Sequence, residues 1–138
     1  MLQKLVLGFV IVLGSIGAAR GADSEVAKAT AVTKSWLALT DAGKYDDGWQ
    51  AAAEILRGAV TKERFTRDLT GVRTPLGPAQ SRKLLTAKRT HQLPGAPDGD
   101  YVVIQFETVF KNKAHAVETV TPMKEKDGSW RVSGYFIK

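Results

Sequence analysis

Cysteine is absent from the chain of 138 residues. This absence excludes disulfide bonds, thiolate metal ligands, a cysteine nucleophile and a lipid-modified N-terminal cysteine. Histidine is scarce: the chain has only His91 and His115, and neither belongs to a His-x-x-x-His or Glu-x-x-His motif. The sequence also lacks a serine-hydrolase elbow, a phosphate loop and a dinucleotide fingerprint. We therefore expect no metal site, no cofactor and no catalytic constellation of a known kind.

Long apolar runs are rare as well, and the longest covers residues 5–16. It follows a short, positively charged start and precedes small residues, which is the pattern of a secretory signal peptide. The run is shorter than the roughly 20 residues that a transmembrane helix needs, so an uncleaved anchor is the less favoured alternative. The sequence predicts a signal peptide over residues 1–21 that is cleaved after Gly21, with Ala19 and Ala22 as alternative sites.

The predicted mature domain, residues 22–138, is mildly basic. The full chain has 20 Lys and Arg against 14 Asp and Glu, and removal of the two cations in the signal peptide leaves 18 against 14. These cations are dispersed and are not interleaved with aromatic residues that stack on bases, so nucleic acid is not an expected partner. For a periplasmic or secreted domain we expect a protein or small-molecule ligand of the cell envelope, with no stable membrane span after cleavage.

Helical periodicity dominates the first half of the mature domain. A first helix is capped by Asp23 or Ser24 and stops at Gly43, and two shorter helices are expected over residues 46–58 and 61–71. Residues 73–78 contain two prolines and one glycine, which favours a non-helical connector. Three N-terminal helices are therefore predicted.

Strand signals dominate the second half. Residues 81–93 alternate apolar and charged side chains, as an edge strand does. Residues 101–111, 114–123 and 130–137 are rich in β-branched and aromatic residues and are separated by turn formers, including Asp127 followed by Gly128. The predicted fold class is α+β, with three N-terminal helices packed on a curved four-stranded antiparallel meander.

A two-residue loop at Asn112 and Lys113 sets the register of the central hairpin. Phe106 then lies opposite Thr119, and counting around the second turn places Val132 opposite Met123 and Phe136 opposite Thr119. The predicted core face comprises Val102, Ile104, Phe106, Phe110, Val117, Met123, Trp130, Val132 and Phe136. The opposite, mixed face carries Tyr101, Val103, Gln105, Glu107, Val109, Ala116, Glu118, Val120, Arg131, Ser133, Tyr135 and Ile137.

The mixed face holds the candidate site. On the predicted register Glu107 lies opposite Glu118, and two like charges across a strand pair are unfavourable unless a cation, solvent or a shared proton intervenes. This pair marks either a site or two solvated carboxylates that neighbouring Lys or Arg residues compensate. The candidate ligand-binding residues are Glu107, Glu118, Tyr135, Tyr101, Arg131 and Gln105. The same face is also suited to a homodimer interface.

Several motifs give the chain a family resemblance. They are Trp36-Leu37, Gly43-Lys44-Tyr45, Arg73-Thr74-Pro75-Leu76-Gly77, Pro97-Asp98-Gly99-Asp100-Tyr101, Glu118-Thr119-Val120 and Asp127-Gly128-Ser129-Trp130. With them the chain resembles a family of small exported bacterial proteins defined as domain of unknown function number four thousand and nineteen. The resemblance implies no activity and no catalytic residue. A broader resemblance, to the cone-shaped nuclear transport factor 2-like and cystatin-like folds, implies helices packed into a curved sheet.

The sequence therefore favours an exported binding or assembly module without catalysis. The alternative is a small cone-fold enzyme that uses Glu107 or Glu118 as a general acid or base. Fold alone does not decide between these two classes, because folds of this kind carry both enzymes and binding modules.

Overall fold

The computed structural model describes residues 17–138. Within them, four helices precede a four-stranded antiparallel sheet whose strands are neighbours in chain order. The elements are α1 Gly17–Asp41, α2 Tyr45–Ala51, α3 Glu54–Ala59, α4 Lys62–Leu76, β1 Ala79–Thr90, β2 Tyr101–Phe110, β3 Lys113–Lys124 and β4 Trp130–Ile137. The predicted α+β class and the predicted meander are confirmed.

The predicted signal peptide lies almost wholly outside the described residues. Only its last five residues, 17–21, fall within them, at the start of α1. Signal cleavage and the single domain over residues 22–138 therefore stay predictions. In the part of the chain that the structure describes, no helix is long and apolar enough to cross a membrane.

The second predicted helix is divided in two. Ala52 and Ala53 have extended backbone angles, with ψ of 164° and 150°, and separate α2 from α3. Both alanines are fully buried, and the Ala53 N–H donates to the Val132 carbonyl at 2.8 Å. A tertiary contact with β4 thus outweighs the helical preference of the alanines.

The third predicted helix is longer than expected. Thr61 caps it as predicted, because its hydroxyl accepts the Arg64 N–H at 3.2 Å. The helix continues past the predicted stop to Leu76, with Pro75 in its last turn, and ends at Gly77, whose φ is +72°. The prediction of a non-helical connector over residues 73–78 is therefore wrong for residues 73–76, which are helical.

The predicted register between β2 and β3 is wrong by one residue. Phe106 pairs with Glu118 and not with Thr119. The turn falls at Lys111 and Asn112, whose N–H groups donate to carbonyls of the α4–β1 connection at 2.9 Å each. A one-residue irregularity follows at the start of β3. Because side chains alternate between faces, this shift exchanges the two faces of β3.

The register between β3 and β4 is partly right. Phe136 lies opposite Thr119 as predicted, but Val132 lies opposite Pro122 and not Met123. Ser133 is the extra residue of a β-bulge between these pairs. Phe136 faces away from the helices because its partner Thr119 does after the slip between β2 and β3, whereas the bulge turns Trp130 and Val132 toward the helices.

The observed core differs from the predicted one at β3 and β4. Val102, Ile104, Phe106, Phe110, Trp130 and Val132 are buried as predicted. Val117 and Met123 are only half-buried, and Phe136 is 53% exposed. Ala116, Glu118 and Val120, assigned to the mixed face, are buried instead. We call the sheet face that packs on the helices the inner face, and the opposite one the outer face.

Candidate functional site

Glu118 lies at the centre of a polar cluster inside the domain. Its side chain is fully buried. Oε1 accepts hydrogen bonds from Arg82 Nε at 2.6 Å and from the Thr108 hydroxyl at 2.5 Å. Oε2 accepts a hydrogen bond from the Tyr135 hydroxyl. Each oxygen of this buried carboxylate is therefore engaged by a donor on a neighbouring strand.

Arg82 links Glu118 to a second carboxylate, Asp41. The Arg82 guanidinium donates to both oxygens of Asp41, at 2.8 and 3.0 Å. Arg73 donates to Asp41 Oδ1 at 2.8 Å and to the Thr40 hydroxyl at 3.1 Å. We call Asp41, Arg73, Arg82 and Glu118 the buried ion network. Its two acids balance its two bases, and its side chains range from Glu118, which is fully buried, to Asp41, which is 31% exposed.

The fold brings the members of the buried ion network together from four elements. Asp41 ends α1, Arg73 lies in the last turns of α4, and Arg82 belongs to the edge strand β1. Arg82 reaches Glu118 because Arg82 pairs with Thr108 on β2, and β2 also pairs with β3. With Tyr135 on β4, the network joins both edges of the sheet to two helices.

The electrostatics favour the charged forms of Asp41, Arg73 and Arg82. Burial raises the pKa of Asp41, but the hydrogen bonds from Arg82 and Arg73 outweigh it and hold this pKa below its usual value. Burial lowers the pKa of Arg82 and Arg73, but hydrogen bonds to Asp41 raise both above the ordinary arginine value. Burial and then the Glu118 charge raise the pKa of Tyr135, so its phenol stays a donor.

These contacts describe a structural cluster. A general base must come within hydrogen-bond reach of a substrate proton, whereas Glu118 has no exposed surface and accepts hydrogen bonds from protein donors on both oxygens. Glu107 pairs with Val117 and lies exposed on the outer face. The predicted Glu107–Glu118 dyad is therefore wrong. The alternative, two solvated carboxylates compensated by neighbouring Lys or Arg, is right only in part, because Arg82 compensates Glu118 but Glu118 is buried.

The remaining predicted site residues are spread over the sheet. Tyr101 is almost fully buried, and its hydroxyl donates to the Pro97 carbonyl at 2.6 Å. Gln105 is half-buried beside Thr119 on the outer face, and Arg131 pairs with Met123 on the same face. The structure brings only Tyr101 and Tyr135 to a common cavity.

That cavity is an apolar groove at β4. It has a volume of about 400 Å³ and is walled by α3, the loop over residues 93–96 and the outer part of β4. We call it the β4 groove, and its lining includes Ile55, Leu56, Ala59, Val60, Leu93, Pro94, Ala96, Tyr101, Thr121, Gly134, Tyr135 and Phe136. Ile55 and Phe136 are 40% and 53% exposed, respectively.

Gly134 keeps the floor of the β4 groove open. A methyl group built on Gly134 would meet only the Thr121 Cβ, at 3.9 Å, an ordinary van der Waals contact. Sequence reasoning missed the groove because the slip between β2 and β3 places Gly134 and Phe136, the partners of Thr121 and Thr119, on the outer face. The run Gly134-Tyr135-Phe136, a small residue next to two aromatic ones, is a weak signal of it in the sequence.

The described residues offer no metal centre. Among residues 17–138, no group of three or more His, Cys, Asp or Glu side chains could hold a metal ion. His91 Nδ1 lies 3.2 Å from the Gly99 carbonyl, and His115 is exposed on β3. His91 thus lies at a loop and His115 at a strand surface.

Four helices preceding a meander, a buried ion network and an apolar groove at the last strand define a small α+β protein with one candidate ligand site. Residues 32–135 match the family model described as "Protein of unknown function (DUF4019)". The chain belongs to this family. No curated protein and no solved structure matches the chain. The broader likeness to the nuclear transport factor 2-like fold stays a prediction.

Proposed function

We propose that this protein is an exported, non-catalytic binding module that holds an apolar or amphipathic ligand of the cell envelope in the β4 groove. The observation that carries the proposal is the groove itself. Its volume of about 400 Å³ lies in the range of small-molecule sites, and its walls are predominantly apolar. Ile55 and Phe136 remain exposed at its rim, where a ligand would cover them.

A few polar groups accompany the apolar walls. Thr121, Ser133 and Tyr135 line the groove among aliphatic and aromatic neighbours. The Ser133 hydroxyl donates to the Thr121 carbonyl at 2.7 Å, and the Tyr135 hydroxyl is held by Glu118. Because these hydroxyls already have acceptors, apolar contact supplies most of the affinity. This composition suits an acyl chain or a planar hydrophobic molecule with few polar atoms.

Export is supported by the N-terminal sequence. Residues 1–21 have the composition of a secretory signal peptide, and the chain has no cysteine that would require control of its redox state in an oxidising compartment. A ligand of the cell envelope follows from that compartment.

Absence of catalysis is supported by the state of the carboxylates. Glu118 is enclosed by Arg82, Thr108 and Tyr135. Glu107 is exposed and lies on the face opposite to Glu118. The alternative enzyme would need one of these groups beside the groove, and neither of them lines it.

Filling the groove tests the proposal. We expect Gly134→Leu to weaken the binding of N-phenylnaphthylamine, a neutral apolar fluorophore, by at least about tenfold. The added side chain occupies the floor of the groove, and Gly134 has neither a positive φ nor a close neighbour that would strain the fold. The measurement is the fluorescence titration of purified mature protein.

Val72→Ser is the matched control for this titration. Val72 is a 48% exposed apolar residue on α4, outside the groove. Its replacement should leave probe affinity unchanged, because it removes exposed apolar surface without altering the groove. Equal probe affinity in the wild type and in a folded Gly134→Leu variant would rule out the groove as the ligand site.

A further inference from the structure

The last strand has an open edge. Val117 and Lys138 exchange both of their backbone hydrogen bonds, at 2.9 and 3.0 Å. Hydrogen-bonded and non-hydrogen-bonded pairs alternate along an antiparallel ladder. Tyr135 and Ile137 therefore turn their N–H and C=O groups away from β3. In the described part of the chain, these groups make no backbone hydrogen bond outside the sheet.

The two edges of the sheet differ in how they are protected. β1 pairs with β2 through two irregularities and carries Arg82, Lys83, Lys88 and Arg89. Such bulges and cations oppose pairing with another strand. Residues 133–137 carry no charge and are regular beyond the bulge at Ser133. The Val132 carbonyl at this edge already accepts the Ala53 N–H, so the open part of the edge begins after Val132.

We infer that this open edge pairs antiparallel with the same edge of a second copy of the chain, about a two-fold axis at Phe136. Tyr135 then lies opposite Ile137 of the second copy, and Ile137 lies opposite Tyr135. All outward-facing N–H and C=O groups of these two residues find partners, which gives four backbone hydrogen bonds. The register stops short of the segment that Ala53 closes.

Side chains fit this arrangement on the outer face. Phe136 faces Phe136 of the second copy in a non-hydrogen-bonded pair, where Cβ atoms lie about 4.5–5.5 Å apart. This pairing covers the most exposed of the large hydrophobic side chains of the described residues, at 53%. Lys138 faces Gly134 of the second copy, which has no side chain to obstruct it and no like charge to repel it.

The area of the contact sets its strength. A stable interface buries about 1,600 Å² in total, more than one short strand edge supplies. The dimer is therefore weak and depends on concentration. Because Gly134 and Phe136 also line the β4 groove, the second copy lies beside the mouth of the groove.

Substitution of Phe136, the residue on the two-fold axis, by charged residues of either sign tests this inference. By sedimentation velocity from micromolar to millimolar concentration, we expect the wild type to show a monomer–dimer equilibrium. Phe136→Lys and Phe136→Glu should each weaken dimerisation at least about tenfold, because each puts like charges opposite each other. An equimolar mixture of the two variants should restore the dimer. A wild type that stays monomeric, or single variants that dimerise as the wild type does, would overturn the inference.

A second variant separates the edge from the groove. Ile137→Pro removes an N–H that faces away from β3, so it should weaken the dimer while keeping the sheet intact. Ile137 does not line the groove, and N-phenylnaphthylamine affinity should stay within about twofold of the wild type. If Ile137→Pro loses the dimer but still binds the probe, the edge contact is supported, whether or not the groove proposal is correct. Unchanged dimerisation in Ile137→Pro contradicts the edge contact.

Discussion

Glu118→Ala is expected to lower the free energy of unfolding by about 3–5 kcal/mol. The substitution removes a fully buried carboxylate that accepts hydrogen bonds from Arg82, Thr108 and Tyr135. It leaves the Arg82 guanidinium with Asp41 as its only counter-charge and leaves two hydroxyls without an acceptor. Urea unfolding of the wild type and the variant at neutral pH measures the difference.

Companion variants show whether the loss of stability in Glu118→Ala comes from lost charge interactions or from lost packing. Tyr135→Phe removes one of the three donors to Glu118 and should cost less, about 1.5–3 kcal/mol. Arg82→Met combined with Glu118→Leu should recover much of the loss in Glu118→Ala, because uncharged residues of similar volume often replace a buried ion pair without cost. A loss below about 1 kcal/mol in Glu118→Ala would mean that the buried ion network does not hold the sheet to the helices.

Acidification is expected to remove the contribution of Asp41. Its pKa is lower in the folded protein than its usual value of 3.8, because of Arg82 and Arg73. A carboxylate with a depressed pKa stabilises the fold above its unfolded pKa, and this stability is lost as pH falls through the folded pKa. The wild type should therefore lose stability as pH falls below 3.8, the unfolded value.

Asp41→Asn measures this contribution directly. At neutral pH it should lower the free energy of unfolding by about 2 kcal/mol, since it weakens charged hydrogen bonds of a partly exposed group. Below the folded pKa of Asp41 the difference between wild type and variant should shrink, because the wild-type carboxyl is then neutral too. Glu107→Gln, at an exposed carboxylate of the outer face, is the control and should follow the wild type throughout. A difference for Asp41→Asn that stayed constant into strong acid would contradict the assignment.

The sequence was sufficient for the architecture because local signals agreed with it. Apolar runs and the turn at Asp127 and Gly128 placed β2, β3 and β4 close to their observed bounds. Thr61 was correctly identified as a helix cap. These features depend on residues that are near one another in the chain, which is where propensity and turn chemistry apply.

Face assignments failed where long-range contacts decide the local geometry. The central turn is fixed by carbonyls of Leu76 and Pro78, more than thirty residues before it. Its position, with the following bulge, exchanged the faces of β3 and moved Glu118 into the interior. Phe136 kept its predicted partner Thr119 and therefore moved outward with it, and the bulge at Ser133 returned Trp130 and Val132 to the inner face. One residue of slip is enough to reverse a whole strand, so strands were easier to predict than faces.

Only one residue of the buried ion network, Glu118, stands out in the sequence. Glu118 interrupts an otherwise apolar and β-branched stretch, which marks either a solvated residue or a buried one with a partner. Its partner could not be identified from sequence, because Arg82 lies 36 residues away and Asp41 lies 41 residues before Arg82. The β4 groove carried less signal, since its walls come from three segments that only the fold brings together.

Native mass spectrometry of the mature protein, purified from its own compartment, tests the proposed binding function most directly. It reports retained ligands for the wild type and for Gly134→Leu, the variant with a filled groove. The groove proposal predicts a small apolar mass that remains bound to the wild type and is missing from Gly134→Leu. No retained mass in the wild type, or equal retention in both proteins, would contradict it.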